Sequence, residues 1–185
     1  MVDASRPPLV ADPGLSRASP LFLREAEIRR GIELIYFGYA SMIREADSLL
    51  AEQGLGRAHH RALYFIARQP GLAVSSLLRL LAITKQSLSR VLADLVARGL
   101  VTQQVGTFDR RQRLLTLTPA GAALEAQLFE AIRARMAAAY QSAGQQAVSG
   151  FWAVLSGLIP PAERALVDEL DRAARRPAGS DRTAG

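Results

Sequence analysis

The chain contains no cysteine, which excludes disulfides, thiolate metal sites and thiol-based redox sensing together. Its two histidines, His59 and His60, are adjacent. On a helix they point in different directions, and no acidic residue stands at ligand spacing, so no metal site is expected. There is no glycine-rich phosphate loop and no carboxylate pair near a strand end, so no catalytic residue and no cofactor is expected either. Aromatic residues make up 6% of the chain against 49% hydrophobic residues. A core must then be built from Leu, Ala, Val and Ile, which suits packed helices better than a β-sandwich. No run approaches the ~18 apolar residues that a membrane span needs. The first twenty residues carry Pro7, Pro8, Pro13 and Pro20 and lack the apolar stretch of a signal peptide. A cytoplasmic protein without a membrane partner is expected.

What is present is a basic excess in one place. The net charge is +6 over 185 residues, a length that fits one domain or one domain plus an oligomerisation element. Between Arg57 and Arg113 stand ten basic residues and two acidic ones, a local +8, while the rest of the chain sums to −2. A central segment facing phosphates between nearly balanced ends would produce that distribution.

Residues 1–18 and 176–185 are rich in Pro, Ser, Ala, Gly and Asp without periodicity and read as disordered tails. From Leu21 to about Gln53, apolar residues recur at three- and four-residue spacing (Ile28, Ile32, Ile35, Tyr36, Tyr39, Ile43, Ala46, Leu50), predicting a long amphipathic helix that ends at Gly54-Leu55-Gly56. A second helix is predicted over Arg57–Arg68, closed by Gln69-Pro70-Gly71. Two short helices follow, about Ser75–Leu81 and Lys85–Arg98, the latter ended by Gly99. Leu100–Val105 and Arg113–Leu117 read as a hairpin around a basic tip. Thr118-Pro119 opens a helix to about Ser142, another runs from Gly144 to Ile159, and Pro160-Pro161 introduces a last one to about Arg175.

The most informative segment is Val74–Val101. In its second helix, Leu88, Val91, Leu92, Leu95 and Val96 define a buried face. The opposite face gathers Lys85, Gln86, Ser89 and Arg90 at the N-terminal end, where a recognition helix meets base edges. Thr84 can cap that end, leaving free N–H groups and the positive end of the dipole for a phosphate. Lys85 is the only lysine in the chain. Lys and Arg pair with guanine and Gln with adenine, so Lys85, Gln86 and Arg90 suit base readout, while Ser75, Ser76, Ser87 and Ser89 suit phosphates. A charged helix face is commonly just solvated, and it is the tip that changes the balance. Asp109-Arg110-Arg111-Gln112-Arg113 places three guanidiniums on an exposed finger able to enter the narrow minor groove, and Asp109 can hold one of them in a fixed pose.

The run from about Leu72 to Gly121, with "LAVSSLLRLLAITKQSLSRVLADLVARGLV" and then "FDRRQRLLTLTPAG", resembles the MarR family of winged helix-turn-helix transcriptional regulators, and the helix order from Ile28 to Ser142 follows that family. The resemblance implies a mainly α fold with a small β-hairpin wing. It also implies a homodimer held by an N-terminal helix (19–56) and C-terminal helices (118–175), with winged domains (57–117) reading a pseudo-palindrome in double-stranded DNA. It assigns Arg111 to the minor groove and Asp109 to its support. It places Tyr36, Phe37, Tyr39, Tyr64 and Phe65 near a cleft where some members bind aromatic acids, so a small-molecule effector is one expectation for them; ordinary core packing is the more economical one. Phe151 and Trp152 are expected in a core or a dimer interface. Ala82 departs from the family's pattern, which often has Gly in that turn. Residues 145–175 depart from its usual last helix and resemble the PetP-type branch.

Three functions remain to be separated: a sequence-specific regulator, a nucleic-acid module without sequence choice, and an enzyme. Competition with random DNA separates the first two, since specific binding exceeds non-specific by about 10³ or more, and turnover of any small molecule would revive the third.

Overall fold

The computed structural model describes residues 19–106 and 109–175. The tails expected at 1–18 and 176–185, and Thr107-Phe108 of the hairpin tip, lie outside the described residues. The chain divides into two compact units, with the division at Ser41/Met42.

In the N-terminal unit, Pro20–Leu23 form a 3₁₀ turn whose start is capped by Ser19, the side chain of which accepts from the Leu21 N–H at 3.3 Å. Helix α1 (Glu25–Glu52) begins here with Glu25 and Glu27 in its first turn, where negative charge meets the positive end of the helix dipole. Ile28, Ile32, Ile35, Tyr36, Phe37 and Tyr39 are all exposed, Tyr36 at 67%. Core packing, the economical expectation for the α1 aromatics, is therefore not what this chain shows.

The second unit holds the core. The C-terminal part of α1 contributes buried Ile43, Ala46 and Leu50. It ends at Gly54, whose φ of +65° is one that glycine adopts without penalty. Helix α2 (Arg57–Arg68) buries Ala62, Leu63 and Ile66. The two-residue strand β1 (Leu72–Ala73), α3 (Val74–Leu81), α4 (Lys85–Ala97), β2 (Val101–Val105) and β3 (Arg113–Leu117) follow. The sheet is antiparallel in the order β1-β3-β2, with Leu72 opposite Leu115 and Val101 opposite Leu117. The sequence shows the hairpin but not β1, because two residues are too few to display alternation. Leu63, Ile66, Leu77, Leu88, Leu95, Leu115 and Leu128 meet in one aliphatic cluster, the Leu-rich core that the composition calls for.

Helix α5 (Pro119–Leu158) is interrupted at Gly144, with φ +79° and ψ 164°, so the two helices expected on either side of that glycine exist as segments of one kinked element. Its first turn is wedged against the turn between α4 and β2. Thr118 Oγ1 accepts from the Gly121 N–H at 3.0 Å and donates to the Gly99 carbonyl at 2.6 Å, and any Cβ at Gly121 would overlap the Leu100 carbonyl oxygen. Leu124, Leu128 and Ala131 are buried, and no residue of α5 beyond Ala131 is. Phe151 and Trp152 are exposed at 40% and 56%. Trp152 Nε1–H donates to the Tyr140 hydroxyl at 2.9 Å across the kink, so these rings do not enter a core within this chain. Helix α6 (Pro161–Arg175) is tethered by Arg68, which donates to Asp171 Oδ1 at 3.0 Å and to the Leu170 carbonyl at 3.4 Å.

Candidate nucleic-acid interface

Helices α3 and α4 are joined by Ala82-Ile83-Thr84. Ala82 has φ 49° and ψ 42°, the left-handed conformation that a turn this tight requires and that glycine would adopt without steric cost. The departure from glycine noted in the sequence is thus accommodated as a strained alanine, and the motif is intact. Thr84 caps α4 as expected. Its Oγ1 accepts from the Ser87 N–H at 3.1 Å and donates to Ser87 Oγ at 2.9 Å, leaving Ser87 its own hydroxyl proton to offer.

Burial of Leu88, Val91, Leu92 and Leu95 turns the other side of α4 outward. Val96, assigned to the buried face by spacing, is 40% exposed; it stands at the edge of the apolar stripe, where the core no longer reaches. Lys85, Gln86, Ser89 and Arg90 are all exposed, and none has a side-chain partner among the described residues. On α3, Ser75 is exposed and Ser76 half-buried, its Oγ accepting from Arg79 at 3.4 Å.

The hairpin closes with the Gly106 N–H donating to the Gln112 carbonyl and the Gln112 N–H to that of Asp109, each at 3.0 Å. Arg110, Arg111 and Arg113 are exposed. Asp109 does support Arg111, but through the backbone, its Oδ1 accepting from the Arg111 N–H at 2.9 Å. All three wing guanidiniums, like Arg90 and Lys85, form no ion pair among the described residues.

Of the five remaining cations of the basic segment, Arg61 donates to the Leu81 carbonyl at 3.5 Å and Arg79 to Ser76 Oγ at 3.4 Å, and three are ion-paired. Arg57 pairs with Asp47 at 2.7 Å, Arg68 with Asp171 at 3.0 Å and Arg98 with Asp94 at 2.7 Å. Charge on the body of the domain is thus compensated at Arg57, Arg68 and Arg98, whereas the cations at the N-terminus of α4 and at the wing form no ion pair among the described residues. Hydrogen bonding by the Arg98 guanidinium, reinforced by the charge of Arg98 and by His59, holds the Asp94 carboxyl below the ordinary carboxylate range. His59 Nε2 lies 3.1 Å from Asp94 Oδ2. Nothing near His59 along the chain announces this contact, because Asp94 lies far from it in sequence. The signal present in sequence was Asp94 and Arg98, four residues apart on one helix face. Among the described residues no group of His, Asp and Glu is arranged to hold a metal, and no helix is long and apolar enough to cross a membrane.

Comparison with known proteins agrees with this geometry. Residues 53–112 match the profile of the MarR family. The chain is 50% identical over 144 residues to the HTH-type transcriptional regulator PetP of Rhodobacter capsulatus, a match covering 78% of this chain and 87% of that protein. Among solved structures, a MarR-family transcriptional regulator from Silicibacter pomeroyi is 28% identical with a TM-score of 0.54, over 67% of this chain and 86% of that one. A mutant MarR from E. coli complexed with operator DNA shares the fold with a TM-score of 0.58 at 23% identity, over 77% of this chain and all of that one. At half identity to such a regulator over most of both sequences, and with a capped helix-turn-helix followed by a wing, the chain belongs to the MarR family of winged helix-turn-helix DNA-binding transcriptional regulators, which are not enzymes.

Proposed function

We propose that this regulator binds pseudo-palindromic operator DNA as a homodimer, reading bases in the major groove with the N-terminal end of α4 and contacting the minor groove with the wing. The observation that carries the proposal is where the free cations gather: Lys85, Arg90, Arg110, Arg111 and Arg113 are exposed and unpaired among the described residues, whereas Arg57, Arg68 and Arg98 are held by carboxylates and Arg61 and Arg79 by neutral oxygens. In this assignment Lys85, Gln86 and Arg90 read base edges, while Ser75, Ser76, Ser87, Ser89 and the free N–H groups behind Thr84 bind phosphates. Arg110, Arg111 and Arg113 serve the wing, with Asp109 setting the Arg111 backbone.

Residues 57–117 form the DNA-binding domain, and residues 19–56 and 118–175 the dimerisation helices. Two observations support dimerisation: the exposed stripe Ile28, Ile32, Ile35, Tyr36 and Tyr39 on α1, and exposed Phe151, Trp152, Val154 and Leu158 at the end of α5. Apolar surface of that extent is stable in water only when a partner covers it. Two copies then set their recognition helices one turn apart, about 34–36 Å. A cavity of about 210 Å³ lined by Ile66, Ala67, Pro70, Thr116, Leu117 and Glu125 is room for a small effector.

The test is fluorescence anisotropy on a duplex from upstream of the protein's own gene, against a scrambled duplex, over a salt series. Arg111→Ala weakens binding to every sequence and reduces the salt slope by about one. Lys85→Ala or Arg90→Ala costs about 1–3 kcal/mol on the native duplex and relaxes sequence preference. Equal losses on both duplexes for all three variants would overturn base reading by α4.

A further inference from the structure

Behind the base-reading end of α4, its last turns are tied to the turn between α1 and α2 by a continuous hydrogen-bonded network. Arg98 Nε donates to Asp94 Oδ1 at 2.7 Å, and the same guanidinium's Nη1 donates to the Gln53 carbonyl, also at 2.7 Å. That carbonyl closes the C-terminal end of α1, where a cation is favoured by the helix dipole. From the other side, His59 Nδ1 accepts from the Gly56 N–H at 3.1 Å, while its Nε2 sits 3.1 Å from Asp94 Oδ2. Since Nδ1 accepts, the proton of the neutral ring is on Nε2 and is donated to Asp94. Both oxygens of Asp94 are thus used, one by α4 itself and one by α2.

Asp94 stands four residues beyond Arg90 on the same helix, so its attachment governs the azimuth and tilt at which Lys85, Gln86 and Arg90 are presented. The apolar face of α4 does not fix that angle so sharply. Leu88, Val91, Leu92 and Leu95 contact neighbours through non-directional packing, whereas a charge-assisted carboxylate with two differently placed donors is directional.

We propose that Asp94, held by His59 and Arg98, is a positioning residue for operator discrimination: it sets the pose of the recognition helix without touching DNA. The proposal rests on α4 being the element that reads bases. A shift of an ångström at the base edges spoils bidentate hydrogen bonds but leaves phosphate attraction nearly unchanged. The network therefore contributes to the ratio of specific to non-specific binding more than to binding as such.

The experiment measures affinities of the full-length protein for the native upstream duplex and its scrambled counterpart, with thermal unfolding in parallel. The variants are Asp94→Asn, His59→Ala, the pair together, and Arg90→Ala as control. Asp94→Asn and His59→Ala are each expected to lower the selectivity ratio about tenfold, the size of one lost base contact, with an unchanged salt slope. The double variant should lose little more than either alone, because both break the same link. The inference is overturned if Asp94→Asn and His59→Ala lower binding to both duplexes equally, or if their losses add in full. If Asp94→Asn fails to fold, Arg98→Gln opens the same network from its exposed arm and is read by the same criteria. If Arg90→Ala also leaves selectivity intact, base reading by α4 itself has failed. If Arg90→Ala relaxes selectivity and the network variants do not, only the positioning role has.

Discussion

The two ends of this chain and its middle obey different rules of burial. In the winged region the apolar residues find one another: Leu63, Ile66, Leu77, Leu95 and Leu115 are fully excluded from water. The first half of α1 also sets its apolar residues at helical spacing, yet Ile32 is 62% exposed and Tyr36 67%; in the distal half of α5, Trp152 is 56% exposed and Val154 61%. Amphipathic spacing specifies which face of a helix seeks cover; whether the cover comes from the same chain depends on what else that chain has to offer. The middle has a sheet and three further helices to close over its face. The first half of α1 and the distal half of α5 contribute nothing to that core, and in the proposed dimer a second copy covers them.

Substitutions in the two regions should therefore be read by different measurements. The largest effect belongs to the core. Leu95→Ala, at a position with 0% exposure, should cost about 2–5 kcal/mol, visible as a lower denaturant midpoint at every protein concentration. Next comes the exposed stripe. Ile32→Asp with Tyr36→Asp should leave the unfolding of the winged region intact while converting dimer to monomer in sedimentation. It should also weaken operator binding, because two linked half-sites become one. A monomeric wild type, or a double variant that still dimerises, would erase the proposed difference between the regions.

A smaller effect is expected at the helix-turn-helix turn. Ala82 is the only non-glycine residue with positive φ among the described residues. Relief of left-handed strain by Ala82→Gly outweighs the added backbone freedom of the unfolded chain, and should stabilise by up to about 1 kcal/mol. A drop in melting temperature would mean that the alanine methyl packs usefully there.

The smallest effect is a pH dependence in the core-facing part of α2. Burial lowers the pKa of His60 below its ordinary 6.5, opposed in part by Asp47. A depressed folded-state value means that the stabilising contribution is present above 6.5 and is lost as pH falls through the folded value. Between pH 7.5 and 5.5 the wild type should therefore lose more stability than His60→Gln, by differential scanning calorimetry. Parallel curves would remove His60 from the account.

Much of this was legible along the chain. Thr84 and Thr118 were recognisable as caps because a hydroxyl residue preceded an amphipathic run, and Gly54 and Gly99 as stops because they ended one; Gly144 kinks α5 without ending it. The resemblance carried by the run from Leu72 to Gly121 located α3, α4 and the β2–β3 hairpin. What escaped were features that depend on distance in space. Strand β1 exists only because Leu72 and Ala73 lie beside Leu115 and Leu114. Asp109 was expected to hold an arginine side chain, yet the turn brings its oxygen to a backbone N–H instead. His59 looked partnerless because Asp94 is 35 positions away in sequence but 3.1 Å away in the fold.

By itself the sequence determined the order of elements, the cationic character of the central segment and the aliphatic make-up of the core. Those properties follow from local patterning, capping chemistry and composition, which need no knowledge of neighbours. The tertiary structure decided which cations remain free. Pairing Arg57 and Arg68 with carboxylates from other helices is a matter of ångströms, and net charge along the chain carries no record of it.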